Sequence, residues 1–290
     1  MNELDFTFPA ADGTTISAYR WAGGTAPKAI VQIAHGMGEH AARYRRLAEA
    51  LTGAGYVVYA NDHRGHGRTA GSAEHHGDLG SGGWPALVGD LGTLGTLARA
   101  EHPSIPRVLL GHSMGSFALQ WYLLDHSADL DGAVLSGTTA IDVVAAGIDP
   151  TKDVDLSAFN APFEPARTEY DWLSRDPAEV DLYVADPACG FGLDANGAAS
   201  MLAGAADTAD AARLGNIRKD LPILLASGTA DPLAGGGALI ELVAERYRSA
   251  GLTDVTVTLY PDARHEIFNE TNRDEITVAV LAWLDRVTAG

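Results

Sequence analysis

Apolar residues gather along this chain in short, unbroken runs. Ala29–Ala34, Tyr56–Ala60, Val108–Leu110, Ala133–Leu135 and Ile223–Ala226 are too continuous for half-exposed strands and too short for helices. They read as strands buried on both faces. Val255–Tyr260 alternates instead and reads as a sixth, less buried strand. Between the runs, apolar positions recur at helical spacing and predict helices over about 41–53, 84–101, 114–126, 236–250 and 274–288. Strand and helix taking turns implies a parallel sheet with helices on both faces. At the beginning, Leu4–Phe8 and Thr14–Trp21 alternate on either side of the turn Ala11-Asp12-Gly13. That is a hairpin pattern, and its strands are expected to extend one edge of the sheet antiparallel.

The rhythm breaks between Thr139 and Asp210. No strand pattern occurs there, prolines fall at Pro150, Pro162, Pro165, Pro177 and Pro187, and apolar patches are short (Ile141–Ala146, Ala198–Ala203). We read residues 139–210 as an inserted, mainly helical cap, with 1–138 and 211–290 forming one α/β core. No internal repeat or low-complexity tail is present.

Composition narrows the partners. The 290 residues suit one large domain with an insertion, and 46% hydrophobic content is ordinary for a soluble enzyme. Twenty basic against 38 acidic residues give a net charge of −18. Such a surface repels nucleic acid and anionic membrane. Cys189 is the one cysteine, so no internal disulfide can form. No window reaches the ~18 consecutive apolar residues of a membrane span. Met1-Asn2-Glu3-Leu4-Asp5 has no secretory-signal character, and a cytoplasmic protein is expected.

The segment Val108-Leu109-Leu110-Gly111-His112-Ser113-Met114-Gly115 carries the chemistry. A buried strand runs into Gly-x-Ser-x-Gly and a helix leaves it. In a nucleophile elbow the serine sits on a tight, strained turn with its hydroxyl exposed, and small neighbours let strand and helix approach. In a chain with 33 glycines and 13 serines the pentapeptide alone is weak evidence. Its placement between strand and helix gives it weight.

A serine nucleophile needs a base, usually a histidine oriented by a carboxylate. In this arrangement the order along the chain is Ser, acid, His. Only His126 and His265 follow Ser113. His126 lies 13 residues further along the same helix, roughly 20 Å away at 1.5 Å per residue, which leaves His265. For the acid, Asp231 follows the buried run ending at Ala226, at a strand's carboxyl end. Asp142 is its main competitor. Asp220 and Asp254 flank strands at the wrong end, and Asp262 is too near His265 in sequence.

Attack on an ester leaves negative charge on oxygen, which two backbone N–H groups usually stabilise. Met114 follows the nucleophile and supplies one. Met37 in the loop His35-Gly36-Met37-Gly38 is expected to supply the other. A dinucleotide fingerprint is incomplete there, since position 41 is Ala41. His63, His66, His75 and His76 cluster with Asp62, Glu74 and Asp78. A metal site is conceivable, but no helical His pair occurs at metal spacing. A packed loop with exposed polar residues is the reading, with no metal and no cofactor needed.

Taken together, these segments resemble the monoacylglycerol lipases and related lysophospholipases of the α/β-hydrolase superfamily. The matching stretches are His35-Gly36-Met37-Gly38-Glu39-His40 with Arg43-Tyr44, Asp62-His63-Arg64-Gly65-His66-Gly67-Arg68, and Gly111-His112-Ser113-Met114-Gly115. Glu179-Val180-Asp181-Leu182-Tyr183 with Asp186-Pro187, Gly228-Thr229-Ala230-Asp231, and His265-Glu266 with Asn269-Glu270 complete them. The resemblance spans about residues 4 to 288. It departs at Met37, where smaller residues are common, at Ala41-Ala42, where Ser-Gly is often seen, and most of all in the cap.

The resemblance implies an α/β-hydrolase fold and a serine esterase acting through an acyl-enzyme on Ser113. It also implies a mobile cap with an acyl-chain tunnel. Gly36, Glu39, Arg43, His112 and Tyr183 are the expected substrate contacts, with Glu39, Arg43 and Tyr183 at the head-group end. Monoacylglycerols are the first substrate class to expect. Lysophospholipids, thioesters and other small monoesters are the alternatives, and few basic residues in the cap await a phospholipid head group. A non-catalytic relative is a third reading, against which the intact triad argues. Transient contact of the cap with a membrane surface is a further expectation.

Overall fold

The structure, a computed structural model, describes residues 1–149 and 151–289. Pro150, counted above among the prolines of the cap, and Gly290, the last residue assigned to the core, lie outside them. Eight strands form one sheet in the order β1-β2-β4-β3-β5-β6-β7-β8. They are β1 (Asn2–Pro9), β2 (Thr15–Ala22), β3 (Ala29–Ala34), β4 (Tyr56–Asn61), β5 (Arg107–His112), β6 (Gly132–Ser136), β7 (Ile223–Gly228) and β8 (Val255–Tyr260). From β4 to β8 all neighbours are parallel, while β1 and β2 add an antiparallel edge. β3 to β7 are buried throughout, which explains their unbroken apolar runs. β8 is the far edge and only half-buried, which explains its weaker pattern.

Alternate residues of β5, β6 and β7 feed cores on the two faces of the sheet. Leu109, Leu135, Ile223 and Leu225 pack on one face; Val108, Leu110, Val134 and Leu224 pack on the other. Helices α1 (Arg45–Gly53), α2 (Gly67–Ala70), α3 (Gly83–Glu101), α4 (Met114–His126), α5 (Ile141–Ala145), α6 (Pro177–Ala185), α7 (Ala195–Ala203), α8 (Ala211–Leu214), α9 (Ala238–Ser249) and α10 (Arg273–Thr288) surround it. α3, α4 and α9 cover the first face, α1 and α10 the second. Two predicted helices start later than their apolar spacing suggests. Residues 41–44 form a 3-10 turn before α1. Gly235, Gly236 and Gly237 all have positive φ, so α9 begins only at Ala238.

Between Ser136 and Ile223 the described residues form short helices and turns with no strand. Asp176 and Asp194 cap α6 and α7 by accepting from Ala178 N–H and Gly197 N–H. This connection splits in its packing. Leu193, Ala198, Met201 and Ala205 belong to the first core, whereas Leu156, Trp172, Leu173 and Tyr183 form their own small cluster. No helix among the described residues is long and apolar enough to cross a membrane.

Strand order places the chemistry. β3 has β4 on one side and β5 on the other, so the chain reverses direction across the sheet there. Open α/β sheets bind ligands at the carboxyl ends beside such a switch. The loops after β3, β5, β7 and β8 all emerge at that edge.

Candidate active site

Ser113 stands between β5 and α4 with φ 51° and ψ −122°. It and Asp262 are the two non-glycine residues at positive φ among those described. Holding a side chain there costs on the order of 1–3 kcal/mol. The flanking glycines make the turn possible. A Cβ on Gly111 would sit 2.5 Å from the Gly115 carbonyl oxygen, and one on Gly115 would sit 2.1 Å from that of Ala34. Strand β5, helix α4 and the end of β3 are therefore in backbone contact. Ser113 N–H donates to the Ser136 carbonyl at 2.9 Å, fixing the turn to β6.

His265 Nδ1 and Asp231 Oδ2 are 2.9 Å apart, and both side chains are buried. A carboxylate only accepts, so Nδ1 carries the proton and Nε2 is the free base. Burial pushes the imidazole pKa down, but Asp231 outweighs it, with help from Glu266 and Glu39, and the pKa rises above 6.5. Asp231 Oδ1 also accepts from Leu233 N–H at 2.9 Å. Asp142, the competing acid, is instead clasped by both guanidinium NH groups of Arg246. The loops after β7 and β8 are strapped by Ala230 N–H to the Ala263 carbonyl.

Ser113, His265, Met37 and Met114 line one cavity, with about 650 Å³ of empty space when its mouth open to solvent is included. Met114 is the first residue of α4, so its N–H has no acceptor within the helix. Met37 N–H has no acceptor among the described residues. Phe117, Ile141, Val144, Val154, Leu156 and Phe159 supply much of the apolar wall.

The five expected substrate contacts fare unequally. Gly36, Glu39, His112 and Tyr183 border this cavity, while Arg43 lines a smaller neighbouring cavity with Tyr44, His112 and Glu266. Glu39 accepts from Gly36 N–H, Tyr44 O–H and Arg43. Arg43 also grips Glu266, and Tyr183 O–H donates to the Gly38 carbonyl. Burial raises the Glu39 pKa despite Arg43. Burial would raise Glu266 too, but Arg43 prevails and holds it at about 2. The His112 ring packs tilted against that of His265, with centroids 4.8 Å apart, and burial holds its pKa near 3.

Two features escaped sequence reasoning. Glu266 stands in the sequence only as the neighbour of His265 in a motif, yet it is Arg43's partner. Trp172 packs its ring 4.8 Å from that of His265, and its carbonyl accepts His265 N–H at 3.3 Å. Nothing in the local pattern signals either contact.

The histidine-rich loop is packed, but not in the way its polarity suggests. Glu74, His75 and Asp78 are exposed, whereas Asp62, His63 and His66 are wholly buried. The His63 and His66 rings pack tilted against that of His35, with centroids at 4.1 and 5.3 Å, and burial lowers their pKa values to about 3 and 4. Asp62 accepts from Ala41 N–H and Arg68 N–H. The loop braces the chain after β3. A different trio, His40, Asp186 and Cys189, brings metal-capable atoms within 4.8 Å of one another. There His40 Nε2 already bonds Asp186 Oδ2 at 2.9 Å, and burial pushes the Cys189 thiol strongly up.

Comparison with known proteins identifies the family. The family described as serine aminopeptidase, S33, matches residues 25–272. A monoacylglycerol lipase of Mycolicibacterium smegmatis is 34% identical, over 97% of this chain and 96% of its own. A mouse monoglyceride lipase is 31% identical, over 93% and 86% respectively. Among solved structures, a thermostable carboxyl esterase from Bacillus coagulans, in complex with glycerol, superposes with a TM-score of 0.89 at 26% identity, covering all of both chains. The chain thus belongs to the monoacylglycerol lipase family of α/β-hydrolases and is a carboxylic ester hydrolase.

Proposed function

We propose that Ser113, His265 and Asp231 form a catalytic triad that hydrolyses monoesters of a single acyl chain, monoacylglycerols first among them. One observation carries this reading: a buried imidazole–carboxylate pair opens, together with a strained serine, on a largely apolar cavity. Ser113 Oγ attacks the ester carbonyl carbon as His265 Nε2 takes the hydroxyl proton. Met37 N–H and Met114 N–H receive the oxyanion. The C–O bond to the alcohol breaks, His265 returns the proton to the departing alkoxide, and Asp231 stabilises the imidazolium between the two steps. Water repeats the sequence on the acyl-enzyme and releases the acid. The names of the curated relatives support monoacylglycerol as substrate.

Residues 139–210 form the cap in this reading, with 1–138 and 211–290 as the core. The cap contributes Ile141, Val144, Leu156 and Phe159 to the cavity wall, which supports a role in holding the acyl chain. It also exposes Val143, Leu182 and Val184, which supports transient contact with a lipid surface. A single, partly buried cysteine fits a reducing, cytoplasmic setting.

An aminopeptidase would need a carboxylate free to receive the substrate's ammonium group. Glu39 and Glu266, the acids in the cavity wall, are already held by Arg43, which favours the ester reading. A fluorophosphonate probe should label the wild type and leave Ser113→Ala unlabelled. Rates on monoacylglycerol, lysophospholipid, acyl-CoA and short aryl esters then rank the substrates. Equal labelling of both proteins would end the proposal.

A further inference from the structure

Tyr183, Glu39 and Glu266 are polar residues of the cavity wall, and each is already committed: Tyr183 to the Gly38 carbonyl, the two carboxylates to Arg43 and its neighbours. Trp172 is different. It is 3% exposed, lines the same cavity, and its indole N–H has no hydrogen-bond partner. Of the buried side-chain atoms lacking a partner among the described residues, it is the one in the cavity wall. Buried donors are normally satisfied, and leaving one unpaired costs about 1–3 kcal/mol. Such a group in a binding cavity is satisfied when a ligand brings the acceptor.

Its position says which part of the ligand does so. The Trp172 ring lies 4.8 Å from that of His265, its carbonyl accepts His265 N–H, and the Leu173 carbonyl accepts Glu266 N–H at 2.8 Å. Phe159 packs at 5.1 Å from the indole and helps fix it. In the reaction proposed above, His265 delivers its proton to the departing alcohol, so that alcohol must lie beside His265. Because the indole adjoins His265, the alcohol is the part of the ester that comes nearest to it.

We propose that Trp172 is a specificity-determining residue whose indole N–H donates to a hydroxyl oxygen on the alcohol part of the substrate. Its preferred ligands are esters of small polyols, and a monoester lacking a free hydroxyl leaves the donor unpaired. The inference rests on the ester-hydrolase reading and assigns recognition of the polyol to a residue that the motifs do not include.

The test compares two esters of one fatty acid, the 1-monoacylglycerol and the ethyl ester, on wild type and Trp172→Phe. Phenylalanine keeps an aromatic ring against His265 and removes the donor. Wild type should prefer the monoacylglycerol in kcat/KM, and Trp172→Phe should shrink that preference, the ratio of the two kcat/KM values, about tenfold. Unfolding midpoints of the two proteins should match, which separates loss of the donor from loss of the fold. An unchanged preference in Trp172→Phe overturns the inference, as does an equal loss on both esters, since packing alone would do that. If the wild type cleaves neither ester, the ester reading itself fails, a result separate from either of these.

Discussion

Arg43 and Glu266, 223 positions apart, meet fork to fork: NH1 lies 2.5 Å from Oε1 and NH2 2.8 Å from Oε2. Glu266 adjoins His265. The same Arg43 NH1 reaches Glu39 Oε2 at 2.7 Å, and Glu39 Oε1 accepts Gly36 N–H at 2.5 Å. One guanidinium thus ties the loop that presents Met37 to the loop that presents His265. All three side chains are nearly buried. The residues expected at the head-group end of the site are therefore spent largely on one another.

Removing Arg43 should destabilise the protein severely. Two carboxylates would remain buried without their cation, a situation that costs about 3–5 kcal/mol. Denaturant unfolding of Arg43→Gln should show a loss of that size, and Arg43→Lys should recover only part because an ammonium cannot fork. A change under about 1 kcal/mol in Arg43→Gln would mean that the cluster behaves like a solvated surface pair.

The pH profile should report His265. Only neutral imidazole can take the Ser113 proton, and Asp231 raises the pKa above 6.5. With a non-ionising ester, kcat/KM should fall as pH drops through a midpoint above 6.5. In Asp231→Asn the midpoint should move down and kcat should fall on the order of 10⁴-fold. The linkage has a definite sign. A raised folded pKa contributes stability below the unfolded value that disappears as pH rises through the folded one. Asp231→Asn should flatten that part of the stability curve. An unmoved midpoint would detach His265 from Asp231.

Ser113 should be a stability sacrifice. At φ 51° glycine has no Cβ to strain, so Ser113→Gly should gain about 1 kcal/mol while losing all hydrolysis. Thermal unfolding checks this directly. A destabilised Ser113→Gly would show that the turn is not strained.

The parts of this molecule legible in sequence are those fixed by local pattern. β3 to β7 announce themselves because burial on both faces demands unbroken apolar runs. His265 is legible by elimination, since His126 is the only other histidine after Ser113, and Asp231 because it follows a buried strand at its carboxyl end. Arg43 with Glu266, and Trp172 with His265, are invisible in that way, since each joins segments that periodicity treats separately. The connection between β6 and β7 resists for another reason: helices of one or two turns, such as α5 and α8, are too short to show a period. In the loop after β4, histidines read as polar turn residues, yet His63 and His66 are neutral packing groups once buried.

Two glycine substitutions separate close approach from mere helix entropy. Gly115→Ala places a Cβ 2.1 Å from the Ala34 carbonyl oxygen, a rigid backbone atom at the start of the loop that presents Met37. Helix α4 or strand β3 must shift, so stability should drop by at least ~1–3 kcal/mol, the range for overpacking. Hydrolysis should fall further than stability, because a shift of 1 Å at the reacting atoms can cost 10²-fold. Gly89 is the control: it lies exposed within α3, with nothing within 4 Å of an added Cβ. Gly89→Ala should stabilise by about 1 kcal/mol through helix propensity alone and leave kcat/KM unchanged. If both variants shift stability in the same direction, the close contact between α4 and β3 is not what holds Ser113 in place.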